Sequence, residues 1–488
     1  MLDSFRHQER PPAMYRRNIS HVLYIVAGIV GLLVAYGAWV KPVNQSPPLP
    51  LPHELLQPQD TSIASETPPD KPIEPPQQSR LIQPVALPNS PYRETLVAIH
   101  DEIEQGNLKE ALARLTSASG SFSSDAAIRP HLAILWNNLG IEQEKQGGTK
   151  ASIHAFKQAA SLDSENPVVL MNLAHASWEQ RDPLMTTGFL ERLIALAPEE
   201  PFPHIALADL LQERDRLHEA AEHLDHAHKR SSRDPGTQAY LRTVAAKVRG
   251  TARTEARLNR RDSAHFTVKY DGTSDPDTWT IVLDILEEAY REIGQQFGHF
   301  PATPIVVVLH DKGAFQGMTG NPAWADGLFD PVLGRIQIPV QGALTDLDWL
   351  KRVLRHEYVH ALLQDLQGPN SAPLPTWLNE GLAMQLSRDR WTDLEQLYPN
   401  DIPFIPLTAL EGGWGGLSHA AATVAYMEAN AAVGYLIDRY GMHEVRQLLA
   451  RLKQRQAIAA AMLSQLSLSY EQLDSRWVER IQGKQTSG

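Results

Sequence analysis

The pattern of apolar and polar positions repeats with a period of 34 residues through the middle of the chain. The first clear copy runs from residue 133 to Asn166 and is marked by Trp136, Leu139, Gly140, Gly147, Phe156, Ala159 and Leu162. The same spacing then gives Leu170, Leu173, Ala174, Leu190, Leu193 and Leu196, followed by His204, Leu207, Ala208, Ala220, Leu224 and Ala227. Small residues at 140, 174 and 208 allow two helices to approach closely. The repeat therefore predicts an all-α solenoid of helical pairs over residues 92–250.

After residue 263 the pattern changes to a mixture of strands and helices. Three segments have strand character: HFTVKY (265–270), PIVVVLH (304–310) and GRIQIPV (334–340), the last with the alternation of an edge strand. The segment from Asp277 to Phe297 has a helical period, and helices are expected from about Leu347 onward. We predict an α+β domain over residues 263–482, and a solvated linker or helix extension at 249–262.

The N-terminal region contains an uncharged, mostly apolar run over Val22–Val40. As a helix this run would be about 28 Å long, enough to span the core of a bilayer. Four arginines precede it and only Lys41 follows closely, so the positive-inside rule places residues 1–20 in the cytoplasm. We predict a single membrane anchor over 21–40, with a cleaved signal peptide as the alternative. The proline-rich residues 41–91 are expected to form a linker.

Composition limits the chemistry that the chain can support. There is no cysteine among the 488 residues, so disulfides, thiol catalysis and cysteine-ligated metals are excluded. A metal site has to be built from His, Asp and Glu. The net charge of −12 supplies no basic excess for neutralising phosphates, and we expect no nucleic-acid partner.

The segment RVLRHEYVHALLQDL contains the motif H-E-x-x-H at His356, Glu357 and His360. On a helix, positions four residues apart are separated by about 40°, so the two imidazoles can share one metal ion while Glu357 reaches a metal-bound water. The flanking residues are apolar almost all round, which predicts burial. Buried histidines and a buried glutamate are costly unless something such as a metal satisfies them.

A second segment, PTWLNEGLAMQLS, places one carboxylate, Glu380, in an apolar helix that follows a loop rich in Gly, Pro and Ser. Pro375 suits the start of that helix. Two histidines and a glutamate from neighbouring helices would leave a fourth coordination position open for water, as catalytic zinc requires.

These residues resemble the gluzincin clan, the thermolysin-like and aminopeptidase-like metallopeptidases, in which H-E-x-x-H is followed by a glutamate ligand on the next helix. The segment WLNEGLA is similar to a segment of the zinc aminopeptidases, and residues 263–480 look like the peptidase-MA-like domains found fused to tetratricopeptide arrays. The resemblance implies a thermolysin-like fold with Zn²⁺ at His356, His360 and Glu380, and Glu357 as general base. It also implies a tyrosine donor for the oxyanion, for which Tyr426 is the candidate, with a core tyrosine as the alternative.

Two features depart from these families. Nineteen residues separate His360 from Glu380, one more than the aminopeptidase pattern, and the G-A-M-E-N segment that recognises a free α-amine is absent. The metzincin pattern fails as well, because Leu363 and Leu366 stand where it needs Gly and His. The expectation is therefore a metallopeptidase without assigned aminopeptidase activity.

The 34-residue repeat resembles the tetratricopeptide (TPR) family, whose arrays bind extended peptides or partner proteins. A spacer or packing platform is the alternative role for the array. Together with the anchor, the two resemblances imply a single-pass protein of a bacterial inner membrane, with its bulk in the periplasm. The TPR array would bind protein substrates or a partner protein.

The strand GRIQIPV and the preceding AWADGLF (323–329) lie where the family places a strand that pairs with extended substrate. Gly327 and Ile336 are the candidate substrate-binding residues, with an ordinary edge strand as the alternative. Three functions stay open: a zinc peptidase acting on protein or peptide substrates, a TPR scaffold with an inactive peptidase-like domain, and a metal-dependent hydrolase acting on another bond.

Overall fold

The computed structural model describes residues 80–85, 90–180, 184–231, 235–272, 278–311, 315, 327–339, 346–368, 374–387, 404–414, 417 and 419–485. The predicted cytoplasmic N-terminus, the predicted anchor over 21–40 and most of the predicted linker lie outside these residues. None of the helices in the described ranges combines the length and the hydropathy needed to cross a bilayer.

The described residues up to 255 form consecutive helices that pack against their neighbours along the chain. They are α1 (Arg93–Glu104), α2 (Leu108–Phe122), α3 (Arg129–Lys145), α4 (Thr149–Leu162), α5 (Pro167–Glu179), α6 (Thr187–Leu196), α7 (Pro201–Glu213), α8 (Leu217–Arg230) and α9 (Pro235–Glu255). Short turns join them, so successive helices form hairpins. We call this region the helical array.

The helix ends follow the 34-residue spacing of the sequence. The first helices of three successive pairs end at Lys145, Glu179 and Glu213, and the second helices end at Leu162, Leu196 and Arg230. The expected close approach of two helices is present between α3 and α4, where a Cβ on Gly140 would lie 2.7 Å from the Phe156 ring. Its counterparts Ala174 and Ala208 have no exposed surface.

A five-stranded sheet follows the array. Its strands are β1 (Asn259–Asp262), β2 (Phe266–Tyr270), β3 (Ile305–His310), β4 (Leu328–Asp330) and β5 (Arg335–Pro339), in the spatial order β1-β2-β3-β5-β4. The three inner strands run parallel, and each outer strand is antiparallel to its neighbour. Strand β3 is buried along its whole length, which agrees with its uniformly apolar sequence.

One expectation about the strands is wrong, and another is incomplete because helix α9 does extend to Glu255. The segment 334–340 is not an edge strand, because β5 pairs with β3 on one side and with β4 on the other. Residues 249–262 are not only a linker or a helix extension, because they also contain β1. Strand β1 is polar and fully exposed, so its sequence carries no alternation, and backbone pairing with β2 is what makes it a strand.

Helices pack on the sheet and on each other to form the core of this second domain. They are α10 (Thr278–Phe297), α11 (Leu347–Gln367), α12 (Thr376–Ser387), α13 (His419–Lys453), α14 (Ile458–Leu466) and α15 (Tyr470–Gln485), with a 3₁₀ turn at Leu407–Leu410. Helix α11 contacts β4, β5, α10, α12 and α13. It therefore lies at the centre of the domain, where the side chains from Val353 to Leu363 are buried.

The helical array and the sheet meet at a buried cluster of charges. The guanidinium of Arg335 on β5 has no exposed surface and pairs with Glu255 at the end of α9 and with Asp215 in the turn between α7 and α8. Lys269 on β2 completes the cluster, with its Nζ 2.6 Å from Asp215 and 2.8 Å from Glu255. We call these four residues the junction cluster. Because every member is paired across the boundary, the cluster fixes the sheet against the array.

Candidate metal centre

Helix α11 carries His356, Glu357 and His360 to the centre of the domain. The side chain of Asp346 caps the helix by accepting a hydrogen bond from the Trp349 amide at 2.9 Å. All three motif residues are buried, and the two imidazole rings lie 4.8 Å apart between centroids. The four-residue spacing thus places both imidazoles on one face, as the helical period requires.

Helix α12 supplies the third donor. The carboxylate of Glu380 has no exposed surface, and its Oε2 lies 3.3 Å from Nε2 of His356 and 3.5 Å from Nε2 of His360. The ligand atoms of the three residues all lie within 4.8 Å of one another. Among the described residues, these three form the cluster that could hold a metal ion.

The close contact of α12 with α13 brings Glu380 to this position. A Cβ on Gly381 would meet the carbonyl oxygen of Ala429 and would lie 2.5 Å from Cγ2 of Val433, both on α13. Only glycine allows the two helix backbones to approach this closely. The residue after the third donor therefore sets how deeply α12 sits in the core.

Asn379 orients one of the two imidazoles. Its Oδ1 lies 3.3 Å from Nδ1 of His360, while Nε2 of the same ring faces Glu380. An amide oxygen can only accept, so Nδ1 carries the proton and Nε2 is left with the lone pair that a metal needs. The sequence interpretation missed Asn379, although its place immediately before Glu380 in a quoted motif was a usable signal.

The two carboxyl groups of the site have opposite electrostatic environments. Burial tends to raise the pKa of Glu380, but the imidazoles of His360 and His356 overcome it and lower the pKa to about 2. For Glu357, burial dominates and raises the pKa above its ordinary value of 4.5, against the opposing effect of the same imidazoles. Glu380 is therefore suited to stay charged as a ligand, and Glu357 to hold and release a proton.

Strand β4 lies beside Glu357. A Cβ on Gly327, the residue before β4, would lie 3.1 Å from Oε1 of Glu357 and 2.8 Å from Cγ1 of Val353. The absence of a side chain at Gly327 thus lets the β4 backbone approach the carboxylate closely. The structure brings this predicted substrate-binding residue to the site.

Ile336, the other candidate substrate-binding residue, is not available to a substrate. Its side chain is fully buried, and it is paired with Val307 of β3 and with Phe329 of β4. A strand with ladders on both sides has no free edge for a peptide. The prediction for Ile336 is therefore wrong, and β4 takes the outer position in the described sheet.

Tyr426 on α13 lies near both carboxylates. It is fully buried, its ring packs edge-on against Trp414 at 5.0 Å between centroids, and its hydroxyl has no hydrogen-bond partner among the described residues. Burial raises the pKa of Tyr426 well above 10, and the charges of Glu380 and Glu357 raise it further. The hydroxyl therefore stays protonated and can donate a hydrogen bond into the site.

The donor set fits a zinc ion. Two imidazoles and one carboxylate, with no sulfur, match the ligands of catalytic zinc sites, in which a fourth position is open to water. The carboxylate of Glu357 is also buried, beside the backbone of Phe329, and burial of a charged group is expensive unless a bound group faces it. The arrangement can therefore activate water beside a polarised carbonyl group.

Comparison with family models finds a match to the Peptidase MA superfamily over residues 287–483. The match includes β3, β4, β5 and all helices from α11 onward, and therefore every residue of the metal cluster. Comparison with curated proteins finds no match. The C-terminal part of the chain is thus a peptidase MA-like domain, whereas the assignment of the helical array to the TPR family stays a prediction.

Proposed function

We propose that the chain is a zinc metallopeptidase that hydrolyses peptide bonds of protein substrates. The observation that carries the proposal is the convergence of His356, His360 and Glu380 at a fully buried point, with Glu357 beside them. An inactive domain would not need to keep four polar side chains in a core where each costs free energy. The intact set therefore favours an enzyme over a scaffold.

His356, His360 and Glu380 would hold the ion, through two Nε2 atoms and a carboxylate. Bound zinc supplies a Lewis acid that polarises a carbonyl group and lowers the pKa of water. Asn379 keeps the His360 ring in the tautomer that ligation requires, and the buried Glu380 balances part of the added charge.

Glu357 acts as the general base and then as the general acid. Its carboxylate takes a proton from the attacking water and passes it to the nitrogen of the leaving amine. Its burial and raised pKa support this exchange, because a carboxyl of ordinary acidity is a poor proton donor near neutral pH.

Tyr426 is the proposed donor to the developing oxyanion. Its buried hydroxyl lies close enough to Glu357 and Glu380 for their charges to raise its pKa. A donor that is already desolvated and held in place by Trp414 needs little reorganisation when charge develops on the substrate.

The proposed substrate position is along β4. It is one of the two outer strands of the described sheet, and Gly327 brings its backbone next to the general base. A substrate that added itself as a further strand would place a peptide bond beside Glu357. This position replaces the one predicted at Ile336.

The remaining parts of the chain give the proposal its cellular setting. We infer that the helical array selects or presents protein substrates as a TPR array, and that residues 21–40 anchor the chain in a bacterial inner membrane with the domains in the periplasm. The support is the 34-residue period for the first and the uncharged run over Val22–Val40 for the second.

Metal content and cleavage of a peptide library by wild-type protein and by Glu357→Gln test the proposal. We expect about one zinc per chain in both proteins, and cleavage lowered by about 10²–10⁴-fold in Glu357→Gln because proton transfer is lost. The exposed Glu110→Gln on α2 is a matched control that should cleave as the wild type does. Wild-type protein without zinc would overturn the proposal and favour the scaffold.

A further inference from the structure

Residues 80–85 lie across the helical array and contact two of its repeats through their backbone. The backbone of Leu81 makes a pair of hydrogen bonds with Asn172 on α5: its N–H donates to Oδ1 at 3.0 Å and its carbonyl accepts from Nδ2 at 2.8 Å. The backbone of Gln83 makes the same pair with Asn138 on α3, at 3.3 and 2.9 Å. Each asparagine side chain therefore forms hydrogen bonds with both the N–H and the C=O of one residue of the segment.

The spacing of these contacts matches an extended peptide. Leu81 and Gln83 are two residues apart, and in an extended chain alternate residues direct their backbone N–H and C=O groups to the same side. Asn138 and Asn172 are 34 residues apart, at the same position of successive repeats. One repeat of the array therefore corresponds to two residues of the bound segment.

Two side chains of the segment bind the array, those of Arg80 and Gln83, and Nε2 of Gln83 donates to Oδ1 of Asn166 at 3.1 Å. The guanidinium of Arg80 donates to both carboxylate oxygens of Glu144, at 2.8 and 2.6 Å, and its Nη2 lies 2.9 Å from Glu179. Its side chain is only 10% exposed. A forked guanidinium between two carboxylates is a geometry that a lysine or a neutral residue would not reproduce.

The side chains of Leu81 and Ile82 contribute little to the attachment of the segment, whereas Val85 packs against the hydrophobic core of the first helices of the array. Leu81 is 45% exposed and Ile82 is 61% exposed, although both are large and hydrophobic. The segment is therefore held by backbone hydrogen bonds, by the side chains of Arg80 and Gln83, and by the packing of Val85. Such contacts can be made equally well by another extended chain that carries an arginine at the same position.

The segment both covers the asparagines and satisfies them. With the segment in place Asn172 has no exposed surface and Asn138 is 8% exposed, and an occupant that left these covered amides without partners would bind unfavourably. Asn137 strengthens the row by accepting a hydrogen bond from Nδ2 of Asn172 at 2.9 Å. These side chains form the floor of what we call the asparagine groove: Asn137, Asn138 and Asn172, with Glu144 and Glu179 at one end.

We propose that the asparagine groove is a binding site for extended segments of other proteins that carry an arginine, and that residues 80–85 are an intramolecular ligand which competes for it. The proposal rests on the proposed partner-binding role of the helical array, but not on the metal centre. Since Val85 and Arg93 of α1 are only eight residues apart in the chain, the tethered segment acts at an effective concentration on the order of millimolar. An external segment has to displace it.

A fluorescein-labelled peptide with the sequence of residues 78–87 tests the proposal by anisotropy, with the full-length chain as the receptor. Arg80→Glu in the chain weakens the tethered segment and leaves the groove intact. We expect Arg80→Glu to bind the peptide at least about ten-fold more tightly than the wild type does, because its competitor is lost. The exposed charge reversal Lys150→Glu on α4, outside the groove, should bind as weakly as the wild type.

Two further changes show where the peptide binds. In the Arg80→Glu chain, Asn172→Ala should abolish the gain, because it removes the pair of backbone hydrogen bonds. A peptide in which the arginine is replaced by glutamate should not bind either. Circular dichroism of each variant checks that the helices have formed, and neither measurement needs metal or turnover, so failure here would leave the proposed peptidase activity untouched.

Hydrogen exchange gives an independent measurement on the wild type. Saturating unlabelled peptide should increase the exchange of the Leu81 and Gln83 amides in the chain, since these two amides lose their acceptors on the array. Failure of Arg80→Glu to bind the peptide would overturn the proposal and make the groove a fixed internal contact. Equal binding by wild type and Arg80→Glu would overturn the competition, as would an exchange rate that the peptide leaves unchanged.

Discussion

At the scale of single residues, both proposed binding sites are built from polar groups that are buried. Glu380 is a carboxylate without exposed surface, and it is stabilised by the imidazoles of His356 and His360. Asn172 in the helical array is also without exposed surface, and a backbone satisfies it. In each case specific polar partners offset the cost of desolvation, which makes the site selective.

Removal of the Asn379 side chain tests how the metal site is oriented. We expect Asn379→Ala to weaken zinc binding by about 10–100-fold, because His360 loses the contact that fixes its tautomer and ring position. Competition with a chelator of known affinity measures the change. Asn379→Asp keeps an acceptor for Nδ1 and should lose less, so equal losses in the two variants would contradict the orienting role.

The candidate ligands could be predicted from the sequence, whereas one of the substrate positions could not. His356, His360 and Glu380 lie in long apolar helices whose period fixes the direction of each side chain. Ile336 was placed on an edge because β4 is only three residues long and has no alternation of its own. The pairing of β4 with β5 depends on contacts between segments that are brought together by folding, and a local sequence pattern does not contain this information.

At the scale of helices and strands, the 34-residue period predicted where the helices of the array end, but polar strands escaped detection. Strand β1, with the sequence NRRD, is exposed at all four positions and is defined by its antiparallel ladder to β2. Hydrophobic periodicity reports burial on one face. An outer strand that buries neither face therefore leaves no signal of this kind.

Because α12 packs closely against α13, we expect a single methyl group added at Gly381 to lower the stability of the chain. Gly381→Ala should lower the free energy of unfolding by about 1–3 kcal/mol, because the new Cβ would overlap the Ala429 carbonyl and Val433. Denaturation followed by circular dichroism measures the loss. Gly412→Ala is a matched control, since nothing lies within 4 Å of its added Cβ. Similar losses for both variants would argue against the close helix contact.

A buried histidine on helix α5 leads us to expect that the stability of the helical array depends on pH. His175 stacks on Phe202 at 3.5 Å between ring centroids, and its burial, with the nearby charge of Arg80, lowers its pKa from 6.5 to about 3. The unfolded chain binds a proton near pH 6.5 that the folded array does not take up until about pH 3. Stability is therefore fully present above pH 6.5 and is lost as the pH falls from 6.5 towards 3.

The expected slope from this histidine is about 1.4 kcal/mol per pH unit within that window. Urea denaturation at pH 7 and pH 5 should show a smaller difference for His175→Gln than for the wild type. The exposed His218→Gln on α8 is the control and should keep the wild-type difference. An unchanged difference in His175→Gln would exclude this residue as the cause.

At the scale of the whole molecule, the array and the peptidase MA-like domain share a buried electrostatic contact. Besides the junction cluster, Lys247 of α9 lies 2.7 Å from Asp330 at the end of β4. Leu333, in the turn between β4 and β5, packs into the hydrophobic core of the array. The strand that borders the proposed active site is therefore attached directly to the helical array.

Arg335→Met tests this attachment. We expect the free energy of unfolding to fall by about 3–5 kcal/mol, because the carboxylates of Asp215 and Glu255 lose a buried counter-ion. Cleavage by the proposed peptidase should fall as well, since β4 and β5 lose an anchor. Denaturation and peptide turnover measure the two effects, with the exposed Arg257→Met as control. Unchanged stability would contradict a structural role for the junction.

The junction cluster limits how far the two domains can be treated as interchangeable modules. A fragment starting at residue 287, where the family match begins, would keep Arg335 but would lack Asp215, Glu255 and Lys269. The Arg335 guanidinium of such a fragment would then lack the carboxylates that neutralise it in the full chain. We therefore expect that the peptidase MA-like domain of this chain has to be expressed and engineered together with its array. Chimaeras that exchange one domain alone should need the partner residues transferred as a set.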